Sequence, residues 1–199
     1  MCGVAGGGAV VLHVGRLAAE KDPHVLIEAF QRAREAVGSE AVFCIAGDGP
    51  RAAALREALP FARHFGFLER DALADLYAAA DLFVFPSLYE GLGGSLIEAM
   101  ASGLPIVATR LPAIEEVVEE GRNALLVERK SIEPLAKAMT DLLESPERAK
   151  TFGDRSREIF VSKFRLNRQA MRMVDFYHRV AGRTYPATAI HSASEASCG

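Results

Sequence analysis

The sequence predicts an α/β fold: a single doubly wound parallel sheet with extra C-terminal helices. Three observations carry this. Apolar runs of strand type alternate with helical stretches from residue 9 onward, the order that yields a parallel sheet covered on both faces. Residues 81–110 form one complete strand–loop–helix–strand unit, D-L-F-V-F-P-S-L-Y-E-G-L-G-G-S-L-I-E-A-M-A-S-G-L-P-I-V-A-T-R. Finally, 199 residues, 50% of them hydrophobic, are enough for one such domain with a real core.

Residues 1–8 are mostly glycine and small residues and are expected to be flexible. Ala9 to Val14 is the first strand. Asp22-Pro23 starts a helix to Val37, stopped by Gly38, with Val25, Leu26, Ala29, Phe30 and Ala33 on one face. A second strand, Ala41 to Ala46, ends in Gly47-Asp48-Gly49-Pro50, followed by an alanine-rich helix to Ala58. Arg63 to Phe67 gives a third strand, and Asp71 caps a helix to Ala79. Leu82 to Phe85 and Leu104 to Ala108 are the fourth and fifth strands, with a helix from Ser95 to Ala101 between them. A helix from Pro112 to Glu119, a strand from Ala124 to Val127 and a helix from Ser131 to Glu144 follow. Helices from Pro146 to Phe160 and over 166–180 complete a domain spanning 9–180, and the Ala/Ser/Thr-rich tail over 181–199 is expected to be disordered.

Composition excludes several functions. A net charge of −3 lacks the basic excess of a nucleic-acid surface. No apolar stretch reaches the length of a membrane span, and no signal-peptide pattern follows Met1. Cys2, Cys44 and Cys198 match no metal spacing, and Cys44 lies in an apolar run that suits a buried thiol. A reducing cytoplasm is the expected setting. His13 lies in a strand and is read as packed, while His24, His64, His178 and His191 have no evident catalytic partner.

The 81–110 unit carries the chemistry. In an open parallel sheet its loop lies at the carboxyl end of a strand, where ligands bind. Gly91, Gly93 and Gly94 allow close backbone approach, and the following helix start presents N–H groups to an anion. Glu90 and Glu98 repel phosphate but accept hydrogen bonds from hydroxyls. A ligand with a central phosphate flanked by hydroxylated rings fits such a loop, and a nucleotide-sugar has that layout.

Taken together, V-G-R-L at 14–17 with Lys21, A-G-D-G-P at 46–50, G-F-L at 66–68, the segment 80–93, E-A-M-A-S-G-L-P-I-V-A-T at 98–109 and N-A-L-L-V at 123–127 resemble one known family. The chain resembles the C-terminal, donor-binding domain of the retaining GT-B glycosyltransferases, in the family 4-like group also described as glycosyl transferases group 1. The resemblance covers roughly residues 9 to 180 and implies a Rossmann-like sheet.

By resemblance, Arg16 and Lys21 hold the donor's diphosphate and assist the leaving group, beside Gly15. Glu90 contacts hydroxyls of the transferred sugar, so Arg16, Lys21 and Glu90 are the implied catalytic residues. Glu98 receives the ribose diol. Backbone groups around Gly91, Leu92, Gly93, Gly94 and Ser95 meet phosphate and sugar, with Ser95 equally suited to cap its helix. Phe67 and Leu68 match the turn at the nucleobase, although both could be core. Asp48 suits a turn as well as a ligand contact. Asp22 departs from the family's usual glycine.

The implied donor is a UDP- or GDP-sugar, with no metal and no other cofactor. The acceptor would be a glycan, a lipid or a small molecule, held by an N-terminal GT-B domain or partner subunit that is missing from this chain. Peripheral membrane association would come only through that half, which leaves an exposed apolar face here. The alternative is a non-catalytic nucleotide-sugar-binding module or partner-dependent subunit. A dinucleotide-binding dehydrogenase domain is disfavoured, because G-R-L rather than G-x-G-x-x-G follows the first strand.

Overall fold

The computed structural model describes residues 8–38 and 41–181, with the side chains of 166–168, 175 and 181 set aside. The expected N-terminal segment up to residue 7, the tail from 182, Cys2, Cys198 and His191 lie outside the described residues. The chain divides into two compact units, one ending at Val161 and one beginning at Ser162.

The first unit carries strands β1 (Val10–Val14), β2 (Val42–Ala46), β3 (Arg63–Gly66), β4 (Leu82–Phe85), β5 (Ile106–Thr109) and β6 (Ala124–Val127). Between and after them lie helices α1 (Pro23–Val37), α2 (Ala52–Ala58), α3 (Arg70–Ala78), α4 (Gly94–Ala101), α5 (Pro112–Glu115), α6 (Ile132–Leu143) and α7 (Pro146–Ile159). A π-helical turn, Phe160–Phe164, follows, and α8 (Leu166–Ala181) makes up most of the described second unit. Taken by itself, α8 exposes Met171, Met173, Phe176, Tyr177 and Val180.

All six strands are parallel, in the order β3-β2-β1-β4-β5-β6. The order reverses between β1 and β4, which makes their carboxyl ends the topological switch point. The expected doubly wound α/β sheet is therefore present.

Alternation along the strands sends side chains to both faces. Val11, Phe43, Ile45, Val84 and Val107 pack in one core with α1 and α6, through Leu26, Phe30, Leu135 and Met139. Phe30 and Phe43 meet there at 4.9 Å between ring centroids, and each such buried side chain contributes about 2 kcal/mol. On the opposite face Phe83 stacks on Phe85 and meets Tyr77 of α3, beside the buried Leu96 and Met100 of α4.

Several boundaries differ from the sequence reading, each for a local reason. Glu69, not Asp71, occupies the cap position of α3, and Asp71 lies in the first turn. Ser131 stands at the start of α6 without a side-chain capping bond. Helix α5 stops at Glu115 rather than Glu119. There the Glu119 N–H donates to Asn123 Oδ1 and Glu120 pairs with Ala124, drawing the segment toward β6. Helix α7 crosses the end of α4 at backbone distance: a Cβ on Gly153 would lie 2.2 Å from the Gly103 carbonyl oxygen.

Candidate functional site

Beyond their last residues, β1 and β2 stay joined. Gly15 N–H donates to Ala46 O at 3.1 Å and Leu17 N–H to Asp48 O at 2.9 Å. Gly47 has φ +129°, and a Cβ there would stand 1.9 Å from Gly15 O. No side chain fits such a gap. Asp48 Oδ1 accepts from Gly49 N–H at 2.7 Å, a turn role, although its exposed side chain also borders a cleft of about 380 Å³. Gly15, Arg16, Phe67, Leu68 and Leu73 line the same cleft. Phe67 follows β3 and is 74% exposed, so it is not core, while Leu68 is half-buried.

The loop after β4 folds back on the loop after β1. Leu88 N–H donates to Glu20 O at 2.8 Å. This backbone bond sets Glu90 beside Lys21, whose Nζ donates to Glu90 Oε1 as an ion pair. The two side chains are only 15% and 10% exposed. Lys21 Nζ also lies 4.8 Å from the centre of the Phe85 ring, a cation–π distance. Arg16 is exposed and forms no ion pair among the described residues.

Helix α4 begins at Gly94, preceded by Gly93 in the left-handed conformation (φ 66°). Leu96 and Ile97 N–H donate to Gly93 O, so the amides of Gly94 and Ser95 precede the helix's first internal bonds. Ser95 is therefore not the cap. Gly91, Leu92 and Gly94 are exposed on this rim, with Tyr89. The large apolar side chains of Phe67, Tyr89 and Leu92 thus face solvent on loops at the carboxyl ends of the strands.

His13 lies underneath, fully buried. Its Nδ1 is 3.0 Å from the Val84 carbonyl oxygen, which can only accept, so Nδ1 carries the proton. Burial, aided by the Lys21 cation, lowers its pKa to about 4 against the pull of the Val84 carbonyl and Glu90. The ring is neutral, and its buried Nε2 has no hydrogen-bond partner. A Cβ on Gly15 would meet Lys21 Cε at 3.5 Å and His13 Nε2 at 3.9 Å, so these groups converge under Gly15.

Glu98 stands on the exposed side of α4, one further turn into the helix. Tyr77 of α3, 3% exposed, reaches it: the hydroxyl lies 3.0 Å from Glu98 Oε2 and 3.1 Å from Ser95 O. Burial first, and then the Glu98 carboxylate, push the Tyr77 phenol far above its usual range, so it stays protonated.

The structure thus joins Gly15, Lys21 and Glu90 in one cluster and places Arg16, Phe67 and Leu68 around one cleft. Sequence reasoning missed Tyr77, which reads there as one more core aromatic, and missed the pairing of Lys21 with Glu90. The larger cavity, about 600 Å³, lies at the strands' amino ends beside Asp81, Leu104 and Pro146, away from these residues. Among the described residues no group of three or more His, Cys, Asp or Glu is arranged to hold a metal ion. No helix among them is long and apolar enough to cross a membrane.

Comparison with known proteins follows the same lines. Residues 3–159 match the family model described as glycosyl transferases group 1. The chain is 36% identical over 153 residues to a 2-deoxystreptamine N-acetyl-D-glucosaminyltransferase of Streptomyces fradiae, covering 73% of this chain and 36% of that enzyme. Sucrose-phosphate synthase from Thermosynechococcus elongatus superposes with TM-score 0.78 at 27% identity, over 88% of this chain and 46% of that one. The pneumococcal O-GlcNAc transferase GtfA in complex with UDP and GlcNAc gives TM-score 0.70 at 25% identity, over 78% and 33%. The chain spans less than half the length of the curated relatives it matches.

Proposed function

Because the chain belongs to the glycosyl transferases group 1 family, we propose that its first unit binds a nucleotide-diphosphate sugar and supports transfer of the sugar with retention of anomeric configuration. The observation that carries this reading is the division of charge at the switch point. Arg16 and Lys21 rise from the β1 side, and Glu90 and Glu98 from the β4 side. Cations suit a diphosphate and carboxylates suit sugar and ribose hydroxyls.

In this reading the bond between the sugar's anomeric carbon and the diphosphate breaks, and its electron pair leaves on the phosphate oxygen. An acceptor hydroxyl oxygen bonds the same face of that carbon, its proton passing to the released phosphate. Arg16 and Lys21 stabilise the charge that grows there, an effect larger in the transition state than in the ground state. The amides of Leu92, Gly93, Gly94 and Ser95 add donors. Glu90 orients the sugar through its hydroxyls and Glu98 holds the ribose. Phe67 and Leu68 flank the base at the 380 Å³ cleft. With positive charge supplied by the two side chains, the reading asks for no metal.

The acceptor, a glycan, lipid or small molecule, would be received by a further domain or partner subunit. Support comes from relatives named for sugar transfer and from GtfA, which was solved with UDP and GlcNAc. A thermal-shift panel of UDP-, GDP- and ADP-sugars and NAD tests the reading. Stabilisation by at least one nucleotide-sugar is expected, and protection by NAD alone would overturn it. Transfer by this chain supplied with an acceptor domain separates an enzyme from a module that only binds.

A further inference from the structure

We propose that Tyr77 is the positioning residue for Glu98: it holds the carboxylate in the orientation that accepts the hydroxyls of a nucleotide ribose. The inference rests on the donor-site reading and adds to it a residue from outside the glycine loop. Glu98 projects from the exposed side of α4, where a free glutamate samples many rotamers. Tyr77 prevents this from below. Its ring is fixed against Phe83 at 5.9 Å, and its hydroxyl lies 3.0 Å from Oε2. A hydrogen bond to a carboxylate is among the stronger kinds, so one oxygen is anchored. The other, Oε1, makes no hydrogen bond among the described residues and is the acceptor in this inference.

The same hydroxyl lies 3.1 Å from Ser95 O in the first turn of α4. One phenolic proton therefore serves two acceptors, and Tyr77 ties the carboxylate to the helix turn whose amides would meet the phosphates. Burial and the neighbouring carboxylate oppose ionisation of the phenol, which keeps it a donor.

Calorimetric titration with UDP, GDP and ADP, and with the 2′,3′-dideoxy counterpart of whichever binds, tests this. Wild-type protein should bind the ribose form about tenfold more tightly than the dideoxy form, the scale of one good charge-assisted hydrogen bond. Tyr77→Phe keeps the ring and its packing. It should cut that ratio to about a third while changing dideoxy affinity less than about twofold. In a Glu98→Ala background it should change nothing further.

An unchanged ratio in a folded Tyr77→Phe overturns the inference, as does a wild type that binds both forms equally. Failure of the wild type to bind any nucleoside diphosphate overturns the donor-site reading itself. Should Tyr77→Phe not fold, ¹³C-ζ-tyrosine labelling of the wild type decides. The Tyr77 resonance, assigned by elimination with Tyr89→Phe, Tyr177→Phe and Tyr185→Phe, must move with the ribose form. If it stays still, the inference is overturned.

Discussion

Lys21 and Glu90, 69 residues apart in sequence, close on each other as a largely buried ion pair at the meeting of two loops. Each charge is held by the other. A ligand that takes phosphate to Lys21 and a sugar hydroxyl to Glu90 competes with the pair, so binding should weaken it. Lys21→Met and Glu90→Gln, singly and together, should show a coupling of about 1 kcal/mol in chemical denaturation of the free protein. At saturating nucleoside diphosphate that coupling should fall toward zero. Equal coupling in both conditions would mean that Lys21 never leaves Glu90.

Donor affinity should separate the two roles. Glu90→Ala is expected to weaken nucleotide-sugars more than the bare nucleotide. Glu98→Ala should weaken both alike, by about tenfold, the scale of a lost hydrogen bond to a charged group. Titration of each variant with a nucleotide-sugar and its nucleoside diphosphate gives the comparison. Equal losses for Glu90→Ala would remove it from the sugar.

The glycine seam between the first two strands makes a steric prediction. Gly47→Ala places a methyl group 1.9 Å from Gly15 O, and should cost roughly 3 kcal/mol or prevent folding. Gly66 also has a positive φ, +64°, but nothing lies within 4 Å of its Cβ direction. Gly66→Ala should therefore cost only the backbone strain, about 1 kcal/mol. Melting temperatures of the two variants should differ clearly, and equal losses would show that the loop yields.

His13 should make stability depend on pH. The folded protein keeps its ring neutral down to about 4, whereas the unfolded chain protonates it near 6.5. Between those values unfolded molecules bind the extra proton, so stability falls as pH drops from about 6.5 to about 4 and is unaffected above that window. The loss should reach roughly 3 kcal/mol at the lower end. His13→Phe, unfolded by urea at several pH values, should show a flatter profile over that window. A profile parallel to wild type would place the titration elsewhere.

Asp22 occupies the left-handed region (φ 46°), and its side chain accepts from Val25 N–H at 3.4 Å at the start of α1. Cap and strain oppose each other. Asp22→Gly should relieve one and lose the other, leaving stability within about 1 kcal/mol of wild type. Asp22→Ala should lose the cap and keep the strain, a net loss of about 1 kcal/mol. Denaturation midpoints of the pair check the sign.

The strands were legible in the sequence because a sheet buried on both faces needs uninterrupted apolar runs, and Leu82 to Phe85 is such a run. Loop positions were legible through their glycines. Contacts that depend on topology were not. Nothing local to Lys21 points to Glu90, and the Leu88–Glu20 backbone bond that brings the two loops together has no sequence signal. Tyr77, in a Leu-Tyr pair on a helix, looks like packing until α4 is set beside it. Nothing around Gly47 in the sequence shows that the Gly15 carbonyl oxygen approaches it. Ser95 seemed a cap by residue type, but Gly93 takes that place because the chain enters α4 with positive φ.

The sheet order has one more consequence. Along β1, pairing with β2 runs from Val10 to Val14, whereas pairing with β4 is confined to Val11–Leu82 and Leu12–Phe83. Side chains reinforce this thinner seam, with Asp81 accepting from Val10 N–H and His13 donating to Val84 O. The cations stand on one bank and the carboxylates on the other. A molecule gripped by both would bridge the joint with the fewest paired residues, so amide exchange along β1 and β4 should slow when it binds. Letting it go and loosening the joint are then one event.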